Sequence, residues 1–258
     1  MSFTFGTFDT DEAGAVATLL RLPSFAGLTV DTLEAAGSDG LILGGTTRSK
    51  ATYEFDVITA ASPTPAAAGD ARDAIALALD PARGLGDLSF DAAPGWLWRA
   101  IVAAPIEWER HSWWPGSYRF RGTVSFDALE AYGRLADDER WTYTGPGNRT
   151  VTRAKGNARS YPTVEIEGTL TAAQKVTVTV GDVVVAVSGP LTAGQVLRLD
   201  YDRFDFGRWS GSTKVASAIG AMSTLDRAEL WPHAATPFRV STTGTATRAE
   251  LIANSRRQ

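Results

Sequence analysis

The chain has 258 residues, of which 44% are hydrophobic and 21% are charged, and these proportions of an ordinary globular protein exclude extensive disorder. Cysteine is absent and the only histidines are His111 and His233, which excludes a disulfide framework and a thiolate zinc site. No long apolar run is present and the first residues lack the basic and apolar regions of a signal peptide, so we expect a soluble protein that neither inserts into a membrane nor carries its own secretion signal.

Charge is divided unequally along the chain. Residues 1–140 carry 11 basic and 20 acidic residues, a net charge of −9, whereas residues 141–258 carry 14 and 9, a net charge of +5. This asymmetry predicts two domains, and the loss of hydrophobic periodicity over residues 128–158 predicts irregular chain and a junction near 130–155. We therefore expect domains at 1–135 and 136–258. Basic residues in the second half are scattered, which argues against direct binding of nucleic acid.

The first half contains signals for two strands and a helix between them. Apolar residues alternate with charged ones over residues 53–57 and again over 118–126, which predicts half-buried strands. Between these strands, Thr64 is suited to cap a helix and Pro65 to occupy its first position. Residues 71, 75 and 79 share one face of this helix, and Pro81 predicts its end near residue 80.

The second half reads as further strands. Residues 164–168 alternate, and two β-branched runs around the Gly181-Asp182 pair predict a β-hairpin. We also expect a short helix around residues 212–222. Many short strands and few helices predict a mainly β fold of sandwich or barrel type.

Five of the eight tryptophans lie between residues 96 and 114. Trp96, Trp98 and Trp108 occupy strand positions that favour a place in the core. Trp113 and Trp114 are consecutive and precede a Pro-Gly pair, so they cannot both face one side of a sheet. We predict that at least one of them lies at a loop tip and contacts a neighbouring molecule, either a protein or a stacked sugar.

Two groups of carboxylates are the candidates for chemistry. Glu107 and Glu109 could form the acid pair of a glycosidase, although two residues on the outer face of a strand produce the same spacing. Asp200, Asp202 and Asp205 could hold calcium, but they lack the pattern of an EF-hand. Salt bridges are the favoured interpretation for these aspartates, with the following expected partners: Arg198, Arg203 and Arg208.

No motif assembles a catalytic, cofactor-binding or metal-binding site. Neither His111 nor His233 belongs to a recognisable triad pattern, and the serines of the WSGST segment at Trp209–Thr213 are not in a nucleophile elbow. Phosphate-binding and dinucleotide-binding glycine motifs are also absent from the sequence. The expected protein is therefore not an enzyme.

Several segments resemble a known family. The segment from Asp80 to Gly133 contains a helix end at Pro81-Ala82-Arg83-Gly84, the pair Trp98-Arg99 and the strand end Phe126-Asp127. It resembles the N-terminal domain of the distal tail proteins (tail-hub proteins) of long-tailed siphophages. The segment around Tyr161-Pro162 and the following hairpin resemble the family's C-terminal domain. The resemblance extends over about residues 1–255.

This resemblance implies a fold and a role. The expected fold is an N-terminal β-rich domain with one helix packed on a sheet, followed by a C-terminal galectin-like or jelly-roll-like β-sandwich. The expected role is that of a virion structural protein, made in the host cytoplasm, whose homohexameric ring surrounds the tail channel. Its expected partners are the tail tube protein and the tail-tip or tail-associated lysin protein, with DNA passing through unbound. Two alternatives remain, a carbohydrate- or receptor-binding module of the tail tip and a hydrolase using Glu107 or Glu109.

Overall fold

The computed structural model describes residues 1–23, 26–34 and 41–258. These residues form two compact units, Met1–Ala136 together with Gln258, and Asp137–Arg257. Both units consist mainly of antiparallel strands, and the α-helix of the described residues lies in the first unit. The predicted mainly β fold class is therefore confirmed.

The first unit contains eleven strands and one α-helix in its described residues. They are β1 (Phe3–Phe5), β2 (Phe8–Asp9), β3 (Val16–Arg21), β4 (Leu28–Glu34), β5 (Leu41–Arg48), β6 (Ala51–Ile58), α1 (Pro65–Ala78), β7 (Gly86–Phe90), β8 (Trp96–Val102), β9 (Glu107–Trp114), β10 (Ser117–Ala128) and β11 (Gly133–Leu135).

The main sheet of the first unit has the order β2-β1-β7-β8-β10-β6-β3. Strand β10 is long enough to pair with β8 at its C-terminal end and with β9 along its N-terminal half. The sheet curls until its two ends approach each other. This approach is marked by a hydrogen bond from the Ala17 amide of β3 to the carbonyl of Met1, which precedes β1. Strands β4 and β5 pair with each other and form a separate two-stranded sheet.

Helix α1 begins and ends where its sequence predicts. The Thr64 hydroxyl accepts a hydrogen bond of 3.2 Å from the Ala67 amide, and Pro65 occupies the first helical turn. The helix ends at Ala78, and Asp80 then caps the short 3-10 turn Pro81–Arg83. Its buried face packs into the core of the sheet through Ile75, while Leu79 follows directly after the helix.

The core of the first unit is aromatic. Phe90 and Trp98 stack with ring centroids 4.9 Å apart, and Phe3 lies 4.7 Å from Phe55. Large rings bury much apolar surface per residue and fill the space within the curled sheet. Trp96 and Trp98 are buried as predicted, and the other aromatic members of this core are Phe5, Tyr53 and Phe126.

The second unit consists of two sheets around a single core. Its strands are β12 (Arg140–Thr144), β13 (Gly147–Thr152), β14 (Thr163–Thr169), β15 (Lys175–Val180), β16 (Val183–Ser188), β17 (Val196–Asp200), β18 (Asp205–Ser210), β19 (Thr213–Ser217), β20 (Ala235–Thr242), β21 (Thr245–Ile252) and β22 (Arg256–Arg257). One sheet has the order β12-β21-β14-β17-β18-β19 and the other has the order β13-β20-β15-β16.

The predicted hairpin is formed by β15 and β16. Gly181 has a φ of 61° at the first position of the turn, a conformation that glycine adopts without steric cost. Alternate valines of both strands point into the core between the sheets, where they meet residues of the six-stranded sheet such as Ile166 and Leu199.

Two predictions of local structure were wrong. Residues 212–222 form β19 and a 3-10 turn at Ile219–Ala221 instead of a helix, because Gly211 closes a tight turn and lets β19 pair with β18. Residues 128–158, predicted to be irregular, contain β11, β12 and β13. The alternation of buried and exposed residues that indicates a strand is missing from β13, because this strand exposes three consecutive residues and buries only Val151.

Candidate assembly surfaces

The two predicted interface tryptophans lie at the tip of the β9–β10 hairpin. Trp114 is 59% exposed, next to a turn in which Gly116 has a φ of 82°. Trp113 is half-buried, with its ring 5.2 Å from that of Tyr118 and the Arg110 guanidinium 4.5 Å from its centroid. Trp114 is therefore the one available to a neighbour, and its role in an interface stays a prediction.

The two candidate acids on β9 are both exposed. Glu107 and Glu109 flank Trp108, whose ring is half-buried and packs against the core. Glu109 lies 3.7 Å from the Arg121 guanidinium on the paired strand. This is the outer face of an ordinary strand, where alternation places the acids in water and the intervening ring inward.

The three aspartates near residue 200 do form ion pairs and caps, but the predicted partners were wrong. Asp202 pairs with Arg256 and Asp205 pairs with Lys214. Asp200 accepts hydrogen bonds from the amides of residues 202 and 203, at 3.0 and 2.9 Å. The chain turns back between β17 and β18 at this point, which brings these acids beside residues distant in sequence.

The remaining polar candidates belong to different elements of the chain. His111 lies exposed on β9 in the first unit, whereas His233 lies in the second unit with a φ of 59°. Ser212 belongs to the tight turn between β18 and β19. Among the described residues, no three metal-ligating side chains come together. No helix in that same part of the chain is long and apolar enough to cross a membrane.

Tryptophans of the second unit differ in their surroundings. Trp209 lies on the outer face of the six-stranded sheet, where the Arg198 guanidinium sits 4.8 Å from its ring centroid. That arginine also donates to Glu165 at 2.7 Å, so it is fixed over the indole face that a sugar would need for stacking. Trp231 is 55% exposed.

An exposed apolar feature near the N-terminus was not identified from the sequence. We call it the arm, and it consists of β3 through Leu22 together with the described side chains of the β4–β5 hairpin, residues 28–32 and 45–48. The hairpin pairs with no other strand of the described residues, and an isolated two-stranded hairpin is only marginally stable in water. Its exposed aliphatic side chains, each about half accessible, are Val16, Leu20, Leu22, Leu28 and Val30.

Strands β9 and β3 each pair with one named strand of the first unit, and they differ in composition. Strand β9 carries five polar or charged residues in the run Glu107–Ser112, and this composition discourages pairing with another strand. Strand β3 carries no charged residue before Arg21 at its end. An apolar edge of this kind tends to be covered in an assembly.

A groove of the first unit lies between α1 and the start of β9. It has a volume of about 450 Å³. Arg72, Asp73 and Asp80 form its polar rim, and its apolar lining consists of Ala76, Leu79, Pro81, Pro105, Ile106 and Trp108. We call this groove, together with the exposed face of α1, the helix surface.

Comparison with known proteins gives a match in structure alone. No family model and no curated protein matches the sequence. Among solved structures, the crystal structure of the Dit protein of phage SPP1 matches 97% of this chain and 97% of its own, with a TM-score of 0.71 and 12% identity. A phage p2 baseplate structure matches 100% of this chain and 98% of its own, with a TM-score of 0.47 and 9% identity, and no argument rests on it. The resemblance inferred from the sequence is confirmed at the level of fold, and the chain has the fold of SPP1 Dit over nearly its whole length.

Proposed function

We propose that this protein is a non-enzymatic structural subunit of a phage tail tip, a distal tail protein whose copies form a ring. The observation that carries the proposal is the shared fold with SPP1 Dit, which covers both units in one match. That protein is described as a paradigm of the hub adsorption apparatus in phages that infect Gram-positive bacteria. A likeness that spans two successive β-rich units is more specific than a likeness of either unit alone.

The proposed assembly is a homohexamer around the tail channel. It joins the tail tube protein on one side to the tail-tip or tail-associated lysin protein on the other, and its place is the tail tip of the virion after synthesis in the host cytoplasm. We also propose that the second unit, a two-sheet sandwich, has a galectin-like or jelly-roll-like fold and serves as a peripheral domain of the ring.

The charge of the first half of the chain supports the same proposal. Its net charge of −9 gives a channel wall of the same sign as the DNA phosphates, so DNA passes without adhering. Ring formation from identical subunits also requires two different complementary surfaces on each copy, and the first unit offers an apolar arm and a separate groove.

The proposal is tested by the mass of the purified full-length protein in light scattering, with negative-stain images of the same sample. We expect a closed ring of about six subunits with a central hole. A protein that stays monomeric at high concentration, and also fails to bind purified tail tubes, contradicts the proposal. Binding of the full-length protein to immobilised glycans would instead support the carbohydrate-binding alternative.

A further inference from the structure

We propose that the arm of one copy docks on the helix surface of the next copy, so that these two surfaces form the repeated contact of the assembly. This inference rests on the proposed function and names the residues through which the subunits meet. The occupant of the helix surface is therefore a second copy of this chain.

The arm has the apolar composition of a surface that becomes buried when subunits assemble. Its five half-exposed aliphatic residues lie within fifteen positions of the chain, between Val16 and Val30. Single exposed apolar residues are normal, but Leu28 and Val30 lie two residues apart on one face of β4, and neighbouring exposed apolar residues mark an interaction site. The arm therefore gains stability when a partner removes it from water.

The helix surface offers a matching apolar target. Leu77 on α1 is 63% exposed, the highest value among the exposed large hydrophobic residues of the described chain, and Leu85 is 45% exposed. The groove beside them is lined by aliphatic and proline side chains and by Trp108. Its volume is in the range of sites that accommodate several side chains of a ligand or peptide.

Charge is complementary between the two surfaces. The ion pairs at the arm and its base expose their cations, since the side chains of Arg21 and Lys50 are 61% and 57% exposed and their carboxylate partners are more covered, while Asp31 is an exposed acid of the hairpin. On the helix surface the carboxylate is the more exposed partner of the ion pair, since Asp73 is 66% exposed and Arg72 is 35% exposed. Asp70 and Asp80 add further exposed acids there, and the exposed Arg83 is a nearby base in the turn after α1. Opposite potentials of this kind steer association and set its register.

The positions of the two surfaces suit a head-to-tail contact. The arm joins the N-terminal end of β6 through Ser49 and Lys50, and α1 follows the C-terminal end of the same strand. The strand runs from Ala51 to Ile58, so the hairpin part of the arm and α1 lie at opposite ends of one extended segment, whereas β3 runs alongside the strand with Val16 opposite Ile58. A contact between two different patches of identical subunits generates a ring when its rotation closes.

The docking is tested by cross-linking between single-cysteine variants of the full chain, which contains no native cysteine. Val30→Cys places a thiol on the arm and Leu77→Cys places one on α1, both at exposed positions. The two variants are mixed, assembled and treated with a short bismaleimide. The matched control replaces Leu77→Cys by Val184→Cys, an exposed position in the second unit.

We expect about tenfold more covalent dimer from the arm and helix pair than from the control pair, because docking raises the local thiol concentration. A ring of normal mass without this excess overturns the inference and leaves the proposed function standing. Dimers formed by the Val30→Cys variant alone indicate an arm-to-arm contact and overturn it too. Absence of both ring and cross-link overturns the inference, and the proposed function falls with it when the protein also fails to bind purified tail tubes.

A second pair of variants separates docking from folding. The double variant Leu22→Asp and Leu28→Asp alters residues that are half exposed in the subunit, so we expect an unchanged thermal midpoint and loss of the ring. The control, Val184→Asp with Val215→Asp in the second unit, keeps the ring. A ring that survives the arm substitutions shows that the arm is available to another partner and contradicts the inference.

Discussion

Arg153 is only 1% exposed in the interior of the second unit. One of its terminal nitrogens donates to the Ala158 carbonyl, whereas Nε and Nη1 have no hydrogen-bond partner within the described residues. Burial lowers the pKa of this guanidinium, and the nearby carboxylates of Glu139 and Asp138 act in the opposite direction. An incompletely satisfied buried charge contributes little to stability, whereas its volume contributes through packing.

Two substitutions distinguish the volume of Arg153 from its charge. We expect Arg153→Ala to lower the free energy of unfolding by about 2–4 kcal/mol, since it empties a large buried volume. Arg153→Met fills most of that volume and is expected to cost about 1 kcal/mol or less. Urea denaturation of both variants measures the difference. Equal losses in the two variants would show instead that the charge beside Glu139 is essential.

Asp127 gives the first unit a pH-dependent contribution to stability. Burial acts to raise the pKa of its carboxyl group, but hydrogen bonds from Lys50 at 2.5 Å and Thr52 at 2.7 Å prevail and lower it. A carboxyl pKa that is lower in the folded than in the unfolded state stabilises the protein above the unfolded-state value of about 4, and this stabilisation is lost as the pH falls through the folded-state pKa.

We therefore expect Asp127→Asn to lower the free energy of unfolding by about 1–2 kcal/mol at neutral pH. The difference from the unmodified protein is expected to shrink as the pH falls below about 4, where Asp127 itself becomes protonated. Denaturant midpoints measured across this range test the expectation. Glu12→Gln, at an exposed position, serves as the control and is expected to change stability by less than about 0.5 kcal/mol. A difference independent of pH would contradict the assignment.

Two glycines show how one residue type serves opposite roles in a helix and in a turn. Gly69 lies within α1 and an added methyl group would meet nothing within 4 Å, whereas Gly181 has a φ of 61° in the β15–β16 turn. We expect Gly69→Ala to raise the free energy of unfolding by about 0.5–1 kcal/mol, because alanine favours the helix. Gly181→Ala is expected to lower it by about 1 kcal/mol, since alanine resists positive φ. Thermal unfolding of the pair tests both signs, and a loss on Gly69→Ala would indicate a close approach at α1.

Elements with strong local signals could be predicted from the sequence. For helix α1, the capping residue, the proline of the first turn and the proline after the helix can all be recognised in the sequence. The β15–β16 hairpin is recognised from alternating valines around a Gly-Asp turn. The residues 212–222 lacked such signals, and pairing with β18 decided their structure.

The arm could not be found in the same way, for a physical reason. The described side chains of β4, residues 28–32, are all exposed, so the alternation of Leu28 and Val30 with polar residues has no matching core there. A register shift between Asp31 and Thr32 also interrupts the pairing with β5. The groove at α1 is also invisible to pattern reading, because it joins residues near 75 to residues near 106. The exposed position of Trp114, in contrast, follows from two adjacent bulky rings before a Pro-Gly turn.

At the scale of the whole molecule, ring assembly can be tested by reversing the charge of one proposed contact surface at a time. Thr18 and Thr29 are exposed on the arm, and Asp70 and Asp73 are exposed on α1. A variant with Thr18→Glu and Thr29→Glu has an acidic arm that is repelled by its own acidic helix surface. A variant with Asp70→Lys and Asp73→Lys has a basic helix surface that is repelled by the exposed cations Arg21 and Lys50 at its own arm.

Each of these two variants alone is therefore expected to form rings poorly at low salt, whereas an equal mixture of them is expected to recover the ring mass. In the mixture, the acidic arm meets the basic helix surface, and the basic arm meets the acidic one, so the two variants alternate around the ring. An alternating ring avoids placing two copies of the same variant side by side only when the number of subunits is even, as in the proposed hexamer. Light scattering at low and high ionic strength measures the recovery, which salt should weaken. Full assembly of either variant alone would show that charge at these two surfaces does not guide the contact.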